Sequence, residues 1–178
     1  MKGLFCLDLL KLQLYFIYGD IFNIIPVVKN ERIEVSLVLF CIKMINKTLQ
    51  NLNIASLNEM QEDALKAFQK HGDMVLLSPT GSGKTLGFLL PILQTLDENK
   101  TGVQALVIAP SRELAIQIEQ VFRQMGTGFK VSCCYGGHLV KTEENNLTET
   151  PALIIGTPGR LAFHIRKQNF DPVYCPAC

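Results

Sequence analysis

Apolar positions change their rhythm near residue 50. Before it they gather in uncharged runs of eight: Leu12 to Gly19, Ile21 to Val28 and Val35 to Ile42. Each is far short of the roughly 20 apolar residues that a membrane-crossing helix needs. Each suits a buried strand or a piece of helix, and run length alone does not decide between them. Beyond residue 50 the pattern is punctuated. Ser56 with Glu59 three positions later has the form of a capping box, and Met60, Ala64, Ala67 and Phe68 follow at helical spacing. Met74 to Leu77 reads as a buried strand ending in a Gly-rich turn, and Thr85 to Leu96 as a helix that tolerates Pro91. Val103 to Ala109 is the next strand. Ser111 then caps a helix whose Leu114, Ile118, Val121, Phe122 and Met125 form one apolar stripe, closed by Gly126. Phe129 to Tyr135 and Ala152 to Ile155 are two further strands, and a helix runs from about Arg160 to Lys167.

Strand, turn and helix in repetition predict an α/β fold of three layers, a parallel sheet with right-handed crossovers and helices on both faces. Functional residues then belong in the loops at the carboxyl ends of the strands. Of the first 50 residues 30 are apolar and none is Ala, which sets residues 1–50 apart as a hydrophobic N-terminal segment. Residues 51–170 carry the α/β pattern, and residues 171–178, with Pro172 and Pro176, form a tail.

Charge narrows the range of functions. Seventeen Lys and Arg against sixteen Asp and Glu leave a net charge of +1, which excludes a polycationic nucleic-acid binder. Any nucleic acid must be held by a local patch and by backbone donors. The six cysteines lack the dense spacing of a disulfide framework, so they are read as reduced thiols. With no export signal and no membrane span, that reading places the chain in the cytoplasm. Cys175 and Cys178 form a CxxC with no second pair to complete a zinc site, and His71, His138 and His164 have no base, nucleophile or metal spacing around them.

The chemistry concentrates in SPTGSGKT, Ser78 to Thr85, which follows an apolar strand and opens a helix. That is the setting of a phosphate-cradling loop. Gly81 and Gly83 let the main chain turn tightly and approach a pyrophosphate, with Ser78, Pro79, Thr80 and Ser82 completing the loop. Lys84 brings positive charge to the β and γ phosphates, and the Thr85 hydroxyl suits Mg²⁺, so these two are the candidate catalytic residues. Ser78 stands where the strict pattern has Gly. ATP or GTP with Mg²⁺ is the implied ligand.

Three further stretches follow in order: PSRELA at 110–115, the Gly136–Gly137 pair after a strand, and TPGR at 157–160. Together with the phosphate loop they resemble the first RecA-like domain of the DEAD-box ATP-dependent RNA helicases, across residues 52–168. The resemblance implies a P-loop NTPase fold and makes Gln61 the residue that reads adenine. Leu57 and Asn58 stand where the family pattern has Pro and Thr. It also implies that Pro110, Ser111, Arg112, Gly136, Gly137, Thr157, Pro158, Gly159 and Arg160 grip single-stranded or structured RNA by its sugar-phosphate backbone. Arg160, at a helix start, suits phosphate. For Arg112 an ion pair with Glu113 stays equally open.

Hydrolysis by this machinery needs an acidic pair at the end of another buried strand. Asp97 and Glu98 instead follow a helix and read as its solvated end. The chain is therefore expected to be the ATP- and RNA-binding front of a helicase that ends before its catalytic acids. It would bind ATP without turning it over, and its incomplete sheet would be covered by the apolar N-terminal segment. An alternative is a non-catalytic nucleotide-binding module that docks on a partner through that segment. PSRELA and TPGR weigh against a third reading, an unrelated P-loop NTPase. Nothing in the sequence bears on oligomeric state.

Overall fold

Period-two alternation along three neighbouring strands sorts side chains into two cores, one on each side of a sheet. A computed structural model describes residues 13–18, 21–25, 35–71, 74–137 and 139–171, with backbone alone up to residue 42. From β4 (Ala105–Ile108), β5 (Val131–Cys134) and β6 (Leu153–Gly156), the side chains of Ala105, Val107, Val131, Leu153 and Ile155 enter the larger core. There they meet α1 (Val35–Asn51), α2 (Glu59–His71), α3 (Lys84–Thr95) and α4 (Arg112–Gln124), through residues such as Met44, Phe68, Ile92, Ile118 and Phe122. Leu106, Cys134 and Ile154 enter the second core with Leu147 of α5 (Val140–Thr148) and Leu161 of α6 (Pro158–Arg166). The three layers expected from the sequence are present.

The sheet has six strands in the order β3-β2-β1-β4-β6-β5, with β1 (Gln13–Tyr18), β2 (Ile21–Ile25) and β3 (Met74–Leu77) completing it. Five strands run the same way. β2 opposes them, because β1 and β2 form a tight hairpin, and only antiparallel neighbours close through so short a connection. The hairpin sits between β3 and β4: β2 pairs with β3, Ile21 opposite Leu77, and β1 pairs in parallel with β4, Gln13 opposite Ala105. Two of the three early apolar runs thus become interior strands and the third opens α1.

The composition change at residue 50 coincides with the end of α1. Ile54 N–H bonds the Leu49 carbonyl and Asn53 N–H that of Gln50, with Asn53 at φ 54°. This is the paired closure of a left-handed helix end. Asn51 Nδ2 then donates to the Met125 carbonyl at 2.9 Å, filling the space where a Cβ on Gly126 would stand. The ends of α1 and α4 are fastened together. One hydroxyl here is unsatisfied among the described residues: Thr48 Oγ1, on a residue that is 1% exposed. An orphaned buried hydroxyl costs on the order of 1 kcal/mol or more. Thr48→Val is therefore expected to raise the thermal midpoint by about 2–4 °C, measured by circular dichroism.

The start of α2 differs from expectation. Asn58, not Ser56, is the cap: Asn58 Oδ1 accepts from Gln61 N–H at 3.0 Å, and Gln61 Oε1 accepts from Asn58 N–H at 3.1 Å. Asn is as good a cap as Ser, and Gln61 supplies the reciprocal bond that closes the box. The pattern of apolar positions does not predict helix α5 either. It buries only Glu143 and Leu147, too thin a stripe to register as amphipathic.

Candidate functional site

Because β3, β4, β5 and β6 share one direction, their carboxyl ends lie along one edge of the sheet, and every motif singled out in the sequence follows one of them. After Leu77 the chain turns through Ser78 to Gly83 and enters α3 at Lys84. Gly81 and Gly83 both adopt positive φ, +78° and +82°, which side-chain-bearing residues rarely do. A Cβ on Gly81 would meet nothing within 4 Å, so the loop is open there. On the inner side Ser78 Oγ donates to Ser82 Oγ at 2.6 Å, giving Ser78 a task that Gly could not perform.

Two side chains from the start of α2 hold the end of the loop. Asn58 Nδ2 donates to the Ser82 carbonyl at 3.0 Å, and Gln61 Nε2 to that of Gly83 at 3.2 Å. A Cβ on Gly83 would lie 2.6 Å from Gln61 Nε2, a second reason for glycine. Gln61 is 5% exposed. Lys84 is 9% exposed, and its Nζ donates to the Ser78 and Pro79 carbonyls at 2.5 Å each. Helix α3 starts without a side-chain cap. Its first-turn N–H groups, the buried ammonium and half-buried Thr85 are thus gathered at one bend. This donor set fits a triphosphate with Mg²⁺: left-handed glycines, an uncapped helix start, one cation and one hard-oxygen hydroxyl.

The other motifs form a second group. Ser111 Oγ accepts from Leu114 N–H at 3.2 Å and caps α4. Exposed Arg112 donates through Nε to Glu113 Oε1 at 3.1 Å. The Glu113 carboxyl is held below its ordinary value first by its own backbone N–H, then by Arg112. An exposed pair of this kind contributes little to stability. The Arg112 guanidinium also lies beside Gly137, with Nη1 3.3 Å from where a Cβ would sit, and Gly137 has φ +103°. Gly136 and Gly159 have nothing within 4 Å of a built Cβ. Thr157 precedes α6, its N–H bonding the Cys134 carbonyl at 3.0 Å, with Pro158 in the first helical turn. Arg160 is mostly buried, its Nε–H donating to Glu143 Oε2.

Phosphate loop, capped Ser-Arg turn, Thr-Pro-Gly-Arg turn and glycine pair therefore stand in that order along one end of the sheet, and residues 58–175 match the DEAD/DEAH box helicase family. The chain belongs to that family. It is 39% identical over 122 residues to the ATP-dependent rRNA helicase RRP3 of Encephalitozoon cuniculi, covering 68% of this chain and 30% of the relative. To eukaryotic initiation factor 4A-8 of Nicotiana tabacum it is 41% identical over 117 residues, covering 65% and 28%. The chain thus spans less than a third of these relatives' length. Among solved structures, a DEAD box protein from Methanococcus jannaschii superposes with a TM-score of 0.61 at 26% identity, over 72% of this chain and 35% of that one. A hypothetical ATP-dependent RNA helicase from Sulfolobus tokodaii does so with a TM-score of 0.59, also at 26% identity, over 72% and 38%. These likenesses bear out the family and RecA-like fold read from the sequence.

In this DEAD/DEAH box domain, three residues beside the motifs escaped the sequence reading. Asn58 left a weak signal as a cap. Glu143 left none, lying in the polar stretch that became α5. His164, read as an ordinary residue, is fully buried and bonds Glu143 Oε2 through Nε2 at 2.6 Å. Cys134, Glu143 and His164 bring three potential ligand atoms within 4.8 Å of one another. Burial pushes the Cys134 thiol up to about 12, however, and the Arg160 guanidinium already neutralises Glu143. The cluster is satisfied as an ion pair. Cys175, Cys178 and His138 lie outside the described residues.

Proposed function

We propose that this chain is the ATP-binding and RNA-backbone-binding part of an ATP-dependent RNA helicase. The observation that carries the reading is the loop from Ser78 to Thr85, opened by two left-handed glycines and clamped from below by Gln61 and Lys84. Lys84 would neutralise phosphate charge there. Thr85 would hold Mg²⁺, which offsets the remaining charge of the phosphate oxygens. Gln61 spends one N–H on Gly83 and one lone pair on Asn58, and its remaining donor and acceptor suit the edge of adenine. The second group of loops offers backbone amides at Gly136, Gly137 and Gly159, the hydroxyl of Thr157, and the guanidinium of Arg112 or Arg160 to an RNA backbone. Such contacts carry no sequence information, as suits an enzyme acting on any RNA. A cytoplasmic setting agrees with the adjacent free thiols of Cys133 and Cys134. Among the described residues no helix is long and apolar enough to cross a membrane.

Docking through the N-terminal segment is disfavoured by a specific observation. β1 and β2 are hydrogen-bonded on both sides within the sheet, which uses the edges that a partner strand would need.

Binding without turnover is the expected behaviour. Asp97 and Glu98 lie in the turn that enters β4 at its amino end, opposite the phosphate loop, and Asp97 Oδ1 is bonded to Asn99 N–H and side chain. Calorimetry should register heat with ATP and Mg²⁺, while a phosphate-release assay gives the same background rate with and without RNA. Absence of binding heat would overturn the nucleotide reading. RNA-stimulated release that Lys84→Ala abolishes would overturn the expectation of no turnover.

A further inference from the structure

We infer that Glu143 is the positioning residue of the RNA-contacting face: one buried carboxylate holds both the turn that leads to Gly136–Gly137 and the guanidinium of Arg160. The inference rests on the RNA-binding reading above. Glu143 belongs to α5, outside every motif, and is 2% exposed. Its Oε1 accepts from Tyr135 N–H at 2.9 Å, the residue before the glycine pair. Its Oε2 accepts from Arg160 Nε and from His164 Nε2. His164 Nδ1 in turn meets Asn169 Nδ2 at 2.7 Å, which holds the ring in place behind the carboxylate. The groups facing the carboxylate include one guanidinium, one imidazole, one backbone amide and the thiol of Cys134.

Desolvating a carboxylate and a guanidinium is costly, and well-packed apolar side chains of similar volume usually stabilise a fold as well or better. Stability alone is a weak reason for this pair. Geometry supplies a stronger one. The carboxylate's two oxygens reach two loops that follow β5 and β6, so their separation is fixed by the width of a single group. Phe163 completes the restraint, its ring 5.3 Å from the Arg160 guanidinium and 5.0 Å from Lys167 Nζ. Binding through several backbone contacts at once depends on such fixed spacing.

The test uses the whole chain and a fluorescein-labelled oligouridylate, read by anisotropy, beside a fluorescent ATP analogue. Glu143→Gln conserves shape, yet its single oxygen cannot serve Tyr135 on one side and Arg160 with His164 on the other; its amide must confront a donor. The expected result is about tenfold weaker RNA binding or more, with ATP-analogue affinity within about twofold of wild type. In a double-mutant cycle with Arg160→Met, the combined loss should fall well short of the sum of the single losses, which a general loosening of the fold would not produce. Should Glu143→Gln fail to fold, Arg160→Lys is read instead. It keeps the charge but lacks the fork that pairs with Glu143 on one side and meets phosphate on the other, so a loss of similar size is expected. Wild-type RNA affinity in either folded variant, or full additivity in the cycle, overturns the inference while leaving the RNA-binding reading intact. A wild-type chain that binds the ATP analogue but shows no anisotropy change with RNA overturns that reading and this inference with it.

Discussion

Replacing Lys84 by methionine is expected to weaken ATP binding about 10- to 100-fold. The ammonium is nearly buried and is held by the Ser78 and Pro79 carbonyls at 2.5 Å each. It is a charge placed beneath the bend in advance of any ligand. Hydrogen bonds to charged groups contribute roughly 1.5–3 kcal/mol each. That range corresponds to the stated loss of affinity at about 1.4 kcal/mol per factor of ten. Methionine keeps the stem and its packing against the loop, so the comparison isolates charge from volume. Isothermal titration with Mg-ATP decides the matter, and Lys100→Met, on the turn before β4, serves as the control. Equal affinity for wild type and Lys84→Met would remove the phosphate loop from the account.

Gly156→Ala should destabilise the fold by about 3 kcal/mol or more, lowering the thermal midpoint by roughly 6–12 °C. Gly156 is the last residue of β6. A Cβ there would collide with the Cys134 carbonyl and approach Leu161 Cδ2 to 2.9 Å. The carbonyl has no freedom to retreat, because it already accepts from Thr157 N–H at 3.0 Å. The Gly156 carbonyl itself accepts from Ala109 N–H at 2.9 Å, which ties β6 to the exit of β4. One methyl group would therefore push on three strand ends at once, and with them on the turn through Thr157 to Arg160. Denaturation followed by circular dichroism measures the effect. A midpoint within about 2 °C of wild type would show that this corner repacks freely, contrary to the close packing expected of protein interiors.

Much of this was legible from residue pattern alone, and for identifiable reasons. Met74 to Leu77, Ala105 to Ile108 and Leu153 to Gly156 are short apolar runs bounded by turn residues, and each is a strand, although β3, expected to be buried, leaves Val75 and Leu77 exposed. Ser111 caps α4, and the stripe through Ile118 and Phe122 is buried as its spacing implied. The phosphate loop was readable because its glycines answer to a local backbone need. The rest depended on distant partners. Whether the run from Leu12 or the run from Val35 is strand or helix is settled by what each packs against, since either period accommodates eight apolar residues. Nothing local distinguishes Ser56 from Asn58 as a cap. The difference is that Gln61, three residues after Asn58, closes the box while reaching Gly83. Glu143 was hidden for a different reason: its partners Tyr135, Arg160 and His164 come from other segments, and nothing in a polar helix that also carries Glu144 marks which acid is buried.

The hairpin of β1 and β2 has a consequence for the order in which this protein takes shape. Its two flanking neighbours, β3 and β4, are synthesised about fifty to ninety residues after it. Until both arrive it holds two unsatisfied edges and much exposed apolar surface, a state prone to wrong pairing. Closing such long loops before any reward is collected makes acquisition of the native state slow. The same arrangement makes the finished sheet hard to unravel from its N-terminal end, because releasing the hairpin would split β3 and its phosphate loop away from the remaining strands.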